Sequence, residues 1–117
     1  MKHCVYLDDE RATPADTDDT TWHRVYTAKQ CINYLKKVNE EPSETVVVDL
    51  LSLDHDLGEP EHVVGTGYGV VCWLEEAYHT DPTFRMPLKI VVHSANPVGR
   101  KRMQIVIDRL SVLSGKA

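Results

Sequence analysis

Four aspartates and two histidines stand where the apolar runs of this chain break off. Asp8 and Asp9, with Arg11 beside them, follow Cys4 to Leu7. Asp54, His55 and Asp56 follow the run that begins at Val46. His93, Ser94 and Asn96 close the run that begins at Leu88. Carboxylates brought together repel one another, and the physical remedies are a bound cation, a protonated member or a basic partner. Oxygen ligands suit Mg²⁺ or Mn²⁺, and an imidazole from His55 or His93 shifts the preference toward Mn²⁺ or Zn²⁺. His55, flanked by two carboxylates, is expected to favour its imidazolium form. Two histidines across a phosphate are also suited to act as general base and general acid in phosphodiester cleavage. His3, His23, His62 and His79 lie in ordinary contexts and are assigned no role.

A second set of residues suits an anion. Arg100, Lys101 and Arg102 occupy the first turns of the helix expected after Asn96 and Pro97, where the helix dipole disfavours cations. Cations misplaced at a helix N-terminus suggest a bound phosphate, with Asn96, Gly99 and the free backbone amides helping to hold it. The glycines of Thr66-Gly67-Tyr68-Gly69 permit close backbone approach but fit no nucleotide-binding fingerprint.

The elements that must position these groups alternate in type. Cys4 to Leu7 reads as a short buried strand, residues 12–21 as an acidic loop, and His23 to Tyr26 as a second strand. Thr27 to about Asn39 is the clearest helix, with Ala28, Cys31, Ile32, Leu35 and Val38 on one face and Thr27 and Gln30 at capping-box spacing. A buried strand lies within Val46 to Leu53, in its later part because of Asp49. Thr66 caps a helix to about His79, Leu88 to His93 is a strand, and Asn96-Pro97 opens the last helix, with Met103, Val106, Ile107, Leu110 and Leu113 inward. Alternation of this kind predicts an α/β fold with a mainly parallel sheet of about four strands. Ligands of such sheets bind at the carboxyl ends of the strands, where strand order reverses. Whether Asp54 or Asp56 turns toward that rim depends on how far the strand continues.

Bulk properties narrow the function. At 117 residues, 42% hydrophobic and 26% charged, the chain fits one domain with one core. A net charge of −5 argues against broad binding to duplex nucleic acid but leaves room for a small phosphorylated ligand. No apolar run approaches the roughly 18 residues that span a bilayer, and the start of the chain has no signal-peptide pattern. Cys4, Cys31 and Cys72 are widely spaced in apolar patterns, as reduced thiols would be, and a cytoplasmic location is expected.

The segments YLDDER (6–11), LSLDHDLG (51–58), GTGYGVVCWLEE (65–76) and VHSANPVGRKRM (92–103) resemble the cyclic-phosphate-processing receiver-like domains of bacteria and their viruses. The resemblance spans nearly the whole chain. It implies a flavodoxin-like, three-layer sandwich related to response-regulator receivers, and processing of cyclic phosphates in nucleotides or RNA ends. By the same resemblance Asp8 and Asp9 match a receiver's metal-binding pair, Asp54 its phospho-accepting aspartate or Asp56 the metal-proximal position beyond it, and Ser94 its hydroxyl residue. His55 and His93 have no receiver counterpart. The first helix is reduced to a loop, and the fifth strand with its lysine is missing.

The expectation is therefore a metal-dependent phosphodiesterase acting on a cyclic nucleotide or an RNA 2′,3′-cyclic phosphate end. Asp8, Asp9 and Asp54 or Asp56 would hold Mg²⁺ or Mn²⁺. His55 and His93, with Asp54, would carry the chemistry. Arg11, Ser94, Asn96, Arg100 and Arg102 would hold the phosphate. The rivals are a module that sequesters a cyclic nucleotide unchanged and a signalling receiver phosphorylated on Asp54. The oligomeric state is left open.

Overall fold

The computed structural model describes residues 2–54, 66–94 and 96–114. Its sheet has four strands, β1 (Lys2–Leu7), β2 (Thr20–Val25), β3 (Leu50–Leu53) and β4 (Lys89–Val92). They run in the order β2-β1-β3-β4, and every pairing is parallel. Helix α1 (Ala28–Asn39) follows β2, α2 (Gly67–Thr80) precedes β4, and α3 (Pro97–Ser114) follows it. The α/β, receiver-like fold with a short parallel sheet is thus the one expected.

Strand alternation divides the sheet into two unlike faces. Val5, Leu7, Val25, Leu51, Leu53 and Ile90 point to one side, into a single core with the buried side chains of all three helices. The opposite face carries Cys4, Tyr6, Trp22, Arg24, Ser52 and Val91. Among the described residues no helix lies over it. The β1–β2 connection reaches it instead, through Thr13 Oγ1, which accepts from Arg24, and Asp16 Oδ1, which accepts from the Trp22 amide. Of the expected three layers, the described residues therefore supply the sheet and one helical layer, and a loop stands on the other side.

Caps set the helix starts. Thr27 Oγ1 accepts from the Gln30 amide at 3.0 Å, and the Gln30 side chain returns the bond to the Tyr26 amide, one residue before the cap. Thr66 Oγ1 accepts from the Gly69 amide at 3.2 Å. Asn96 Oδ1 accepts from the amides of Val98 and Gly99, both at 3.1 Å. Beyond the far end of α1 the Arg85 guanidinium donates to the carbonyls of Val38, Glu41 and Ser43, which ties down the chain as it leaves the helix.

Two expectations shift and one, the late start of β3, holds. Strand β2 begins at Thr20 rather than His23, because an edge strand leaves alternate residues in water and its start shows no apolar signal. Strand β3 begins at Leu50, and Asp49 before it accepts from the His3 amide at 2.7 Å, as its polarity suggested. Leu113 is exposed, not core-facing, because the last buried turn of α3 ends at Leu110. Cys4 and Cys31 are buried and Cys72 is half-buried, all three free, and burial pushes the Cys31 thiol up to about 12.

Gly67 fixes how closely α2 approaches the sheet. A Cβ there would stand 2.0 Å from the Asp54 carbonyl oxygen and 2.8 Å from Met103 Cε. Gly67→Ala should lower stability by about 3 kcal/mol, roughly 10 °C in melting temperature. Gly69→Ala, where the nearest atom is 3.9 Å away, should be neutral or slightly stabilising. Paired thermal melts check both; equal melting temperatures would contradict the close approach.

Candidate active site at the carboxyl ends of the strands

Strand order reverses between β1 and β3, since the chain moves to one side of β1 to form β2 and to the other to form β3. Asp8 ends β1 and Asp54 ends β3, so both stand at this switch point. The Asp54 amide donates to the Leu7 carbonyl at 3.0 Å and the His93 amide to the Leu53 carbonyl at 2.9 Å. The ladder thus continues one residue past the strands and brings Asp8, Asp54 and His93 side by side. Their ligand atoms all lie within 4.8 Å of one another.

Asp8 is 1% exposed, and its carboxylate is nonetheless well supplied. Oδ1 accepts from the amides of Glu10 at 2.8 Å and Arg11 at 2.9 Å, and Oδ2 lies 3.0 Å from His93 Nε2. Burial by itself raises the Asp8 pKa. The two backbone amides and the His93 ring outweigh burial and hold the carboxyl below its ordinary value. An ionised carboxylate only accepts, so His93 Nε2 is the donor in this pair.

His93 is fixed from every side. Nδ1 lies 2.7 Å from Ser52 Oγ, and the ring stacks on Tyr6 with centroids 4.4 Å apart and planes 4° from parallel. Trp22 meets Tyr6 edge-on, and Arg24 lies over the same ring while its Nε donates to the Asp8 carbonyl at 2.9 Å. Ser52, Tyr6 and Arg24 escaped sequence reasoning because each sits inside a strand. The period-two rule would have found two of them: Tyr6 is two residues before Asp8 and Ser52 two before Asp54, so each shares a face with its aspartate.

The other expected site residues divide. Arg11 is at the site: its guanidinium donates to the His93 carbonyl and lies 4.0 Å from Asp8 Oδ2, with the side chain 48% exposed. Asp9 is half-buried and outside the group of three, as alternation turns neighbours apart. Ser94 is buried, and its hydroxyl accepts from the Asn96 amide at 3.1 Å. Asn96 caps α3. Arg100 and Lys101 are exposed on its first turns, and Arg102 lies 4.3 Å over the Tyr68 ring. His55 and Asp56 lie outside the described residues.

Two carboxylates and an imidazole fit a divalent cation by donor chemistry, with one buried carboxylate already held ionised. A cation and the shared His93 proton would compete for the same atoms, because a metal needs the ring nitrogen deprotonated.

A family model described as the cyclic-phosphate processing receiver domain matches residues 3–109. No curated protein and no solved structure matches the chain.

Because its folded pKa is depressed, Asp8 contributes stability above the ordinary carboxylate range and loses it as pH falls through the lower folded value. Asp8→Asn should cost about 2–3 kcal/mol at pH 7, and its gap to the unaltered chain should begin to close as pH falls below about 5 and close fully only below the depressed folded value of Asp8. A gap that stays constant from pH 7 to pH 3 would contradict the ionised, hydrogen-bonded Asp8.

Proposed function

The chain belongs to the cyclic-phosphate processing receiver domains, and from that premise we propose that it is a metal-dependent phosphodiesterase acting on a cyclic phosphate, either a cyclic nucleotide or an RNA 2′,3′-cyclic phosphate end. The observation that carries the reading is the junction of Asp8, Asp54 and His93 at the switch point, with donor atoms within 4.8 Å. A true receiver has no use for a histidine there, whereas opening a phosphodiester ring needs a group that moves protons.

Asp8 and Asp54 are the residues that would hold Mg²⁺ or Mn²⁺, and His93 is the residue that would move protons beside it. Such an ion, when bound, lowers the pKa of a water and screens phosphate charge. Asp8 keeps its carboxylate ionised and orients the His93 ring through Nε2. Ser52 holds the other ring nitrogen, so the imidazole cannot rotate away from the rim. Tyr6 fixes the plane of that ring by stacking. Arg11 is anchored on the His93 carbonyl and keeps further N–H donors for an anionic oxygen. Arg100, exposed at the start of α3, would supply a second cation for the phosphate. His55 and Asp56, by their sequence position, would complete the proton-handling and acidic sets.

Binding without cleavage is the second reading. Its support is that both His93 ring nitrogens are already engaged, by Asp8 and by Ser52, an arrangement that also suits a rigid structural histidine.

Purified protein with Mn²⁺ or Mg²⁺ should open at least one member of a panel of 3′,5′-cyclic nucleotides, cyclic dinucleotides and RNA 2′,3′-cyclic ends. His93→Ala and Asp54→Asn should each lower that rate by about 100-fold or more. Chromatography of the products checks it. Tight binding with full recovery of intact ligand would select the second reading, and neither binding nor turnover across the panel would overturn both.

A further inference from the structure

The open face of the sheet carries more than the rim uses. Strand register sets its side chains in rows. Trp22, Cys4, Leu50 and Lys89 stand opposite one another in one row, and Arg24, Tyr6, Ser52 and Val91 in the next. Asp8, Asp54 and His93 stand one step further, at the carboxyl ends. That last row is the candidate site, and Tyr6, Ser52 and Arg24 of the middle row hold it in place. The first row takes no part in either.

That first row floors a groove of about 510 Å³, lined by Cys4, Trp22, Leu50 and Val91, with Lys2 and Lys89 at its margins. Trp22, Leu50 and Val91 are half-buried, and both lysines are exposed. Lys89 has no ion-pair partner among the described residues. The groove's carboxylate, Asp49, already accepts from the His3 amide. The local balance is therefore basic in a chain whose net charge is −5. An uncovered sheet face with an aromatic ring and cations is one way in which proteins hold single-stranded RNA: bases stack on the ring and the backbone follows the positive charge.

Distance selects the ligand. His93, Val91 and Lys89 alternate along β4 and its extension, so at ~3.3 Å per residue Lys89 lies ~13 Å from His93 on the same face. A single nucleotide with its cyclic phosphate at the rim ends short of the groove. A cyclic dinucleotide folds its second half back beside the first. An RNA chain ending in a 2′,3′-cyclic phosphate instead leads away from the rim in one direction, and its upstream nucleotides cross Val91 toward Trp22 and the lysines. Resting on the reading of the rim as a cyclic-phosphate site, we propose that the substrate is an RNA 2′,3′-cyclic end and that this groove holds the nucleotides preceding it. Trp22 stacks on a base, and Lys89 and Lys2 meet backbone phosphates.

The test compares adenosine 2′,3′-cyclic phosphate with oligoadenylates of two and three residues ending in the same group. Turnover is followed by chromatography, and affinity by displacement of a 5′-fluorescein trimer, read as anisotropy. From one residue to three, kcat/KM and affinity should each rise by about tenfold or more, the gain from one stacked base. Trp22→Ala should shrink that three-to-one ratio by about tenfold, and Lys89→Glu and Lys2→Glu by about threefold each. Using the ratio cancels any change at the rim itself. Turnover with no gain in length, a ratio that all three variants leave unchanged, or tighter binding of a cyclic dinucleotide than of the trimer would overturn the groove and leave the phosphodiesterase reading standing. A variant-sensitive length gain in affinity without turnover would support the groove and remove the phosphodiesterase. Neither binding nor turnover would remove both.

Discussion

A carboxylate buried at the end of a central strand is a liability unless it is paid for on every lone pair, and Asp8 is the point at which this molecule meets that demand. With 1% of the residue exposed, its charge survives only because the chain turns sharply after β1 and aims two backbone amides at one oxygen, while His93 donates to the other. That requirement reaches across the sheet. It fixes His93 at the end of β4, and through His93 it uses Ser52 on β3 and Tyr6 on β1. The groups that resemble catalytic machinery are therefore also the groups that keep the buried charge tolerable.

The sheet order makes this possible. Only at the β1–β3 junction do two neighbouring strand ends face a gap from which the connections depart in opposite directions. Helix α2 closes on that gap because Gly67 lets it approach the Asp54 carbonyl more closely than any side chain would allow. On the far face the chain has exchanged a helix for an acidic loop tied down by Arg24 and Trp22. Arg24 thereby links the loop, the Tyr6–His93 stack and the Asp8 carbonyl in one short network.

Much of this was legible in the sequence, for definable reasons. The helices announced themselves through caps such as Thr27, Thr66 and Asn96 and through apolar spacing. The buried strands showed as β-branched runs, and the parallel sheet followed from alternation. The convergence of Asp8, Asp54 and His93 followed from the rule for strand ends. Other features were hidden. Strand β2 starts early because an edge strand has no apolar run to reveal it. Ser52 reads as an ordinary strand interior until register places it beside His93. Ser94 and Asn96 read as anion ligands, yet their side chains are used in the turn and cap that start α3, because a short polar side chain before a helix serves the backbone first.

The central expectation is that Asp8, Asp54 and His93 form one metal and phosphate site. The most direct measurement is a crystal structure soaked with Mn²⁺ and a cyclic nucleotide, read by anomalous scattering. A manganese peak is expected between the carboxylates of Asp8 and Asp54, with the ligand's phosphate beside it and within reach of Arg11. A fully formed Asp8–His93 pair with no manganese between the strand ends, or a phosphate bound away from this rim, would contradict it.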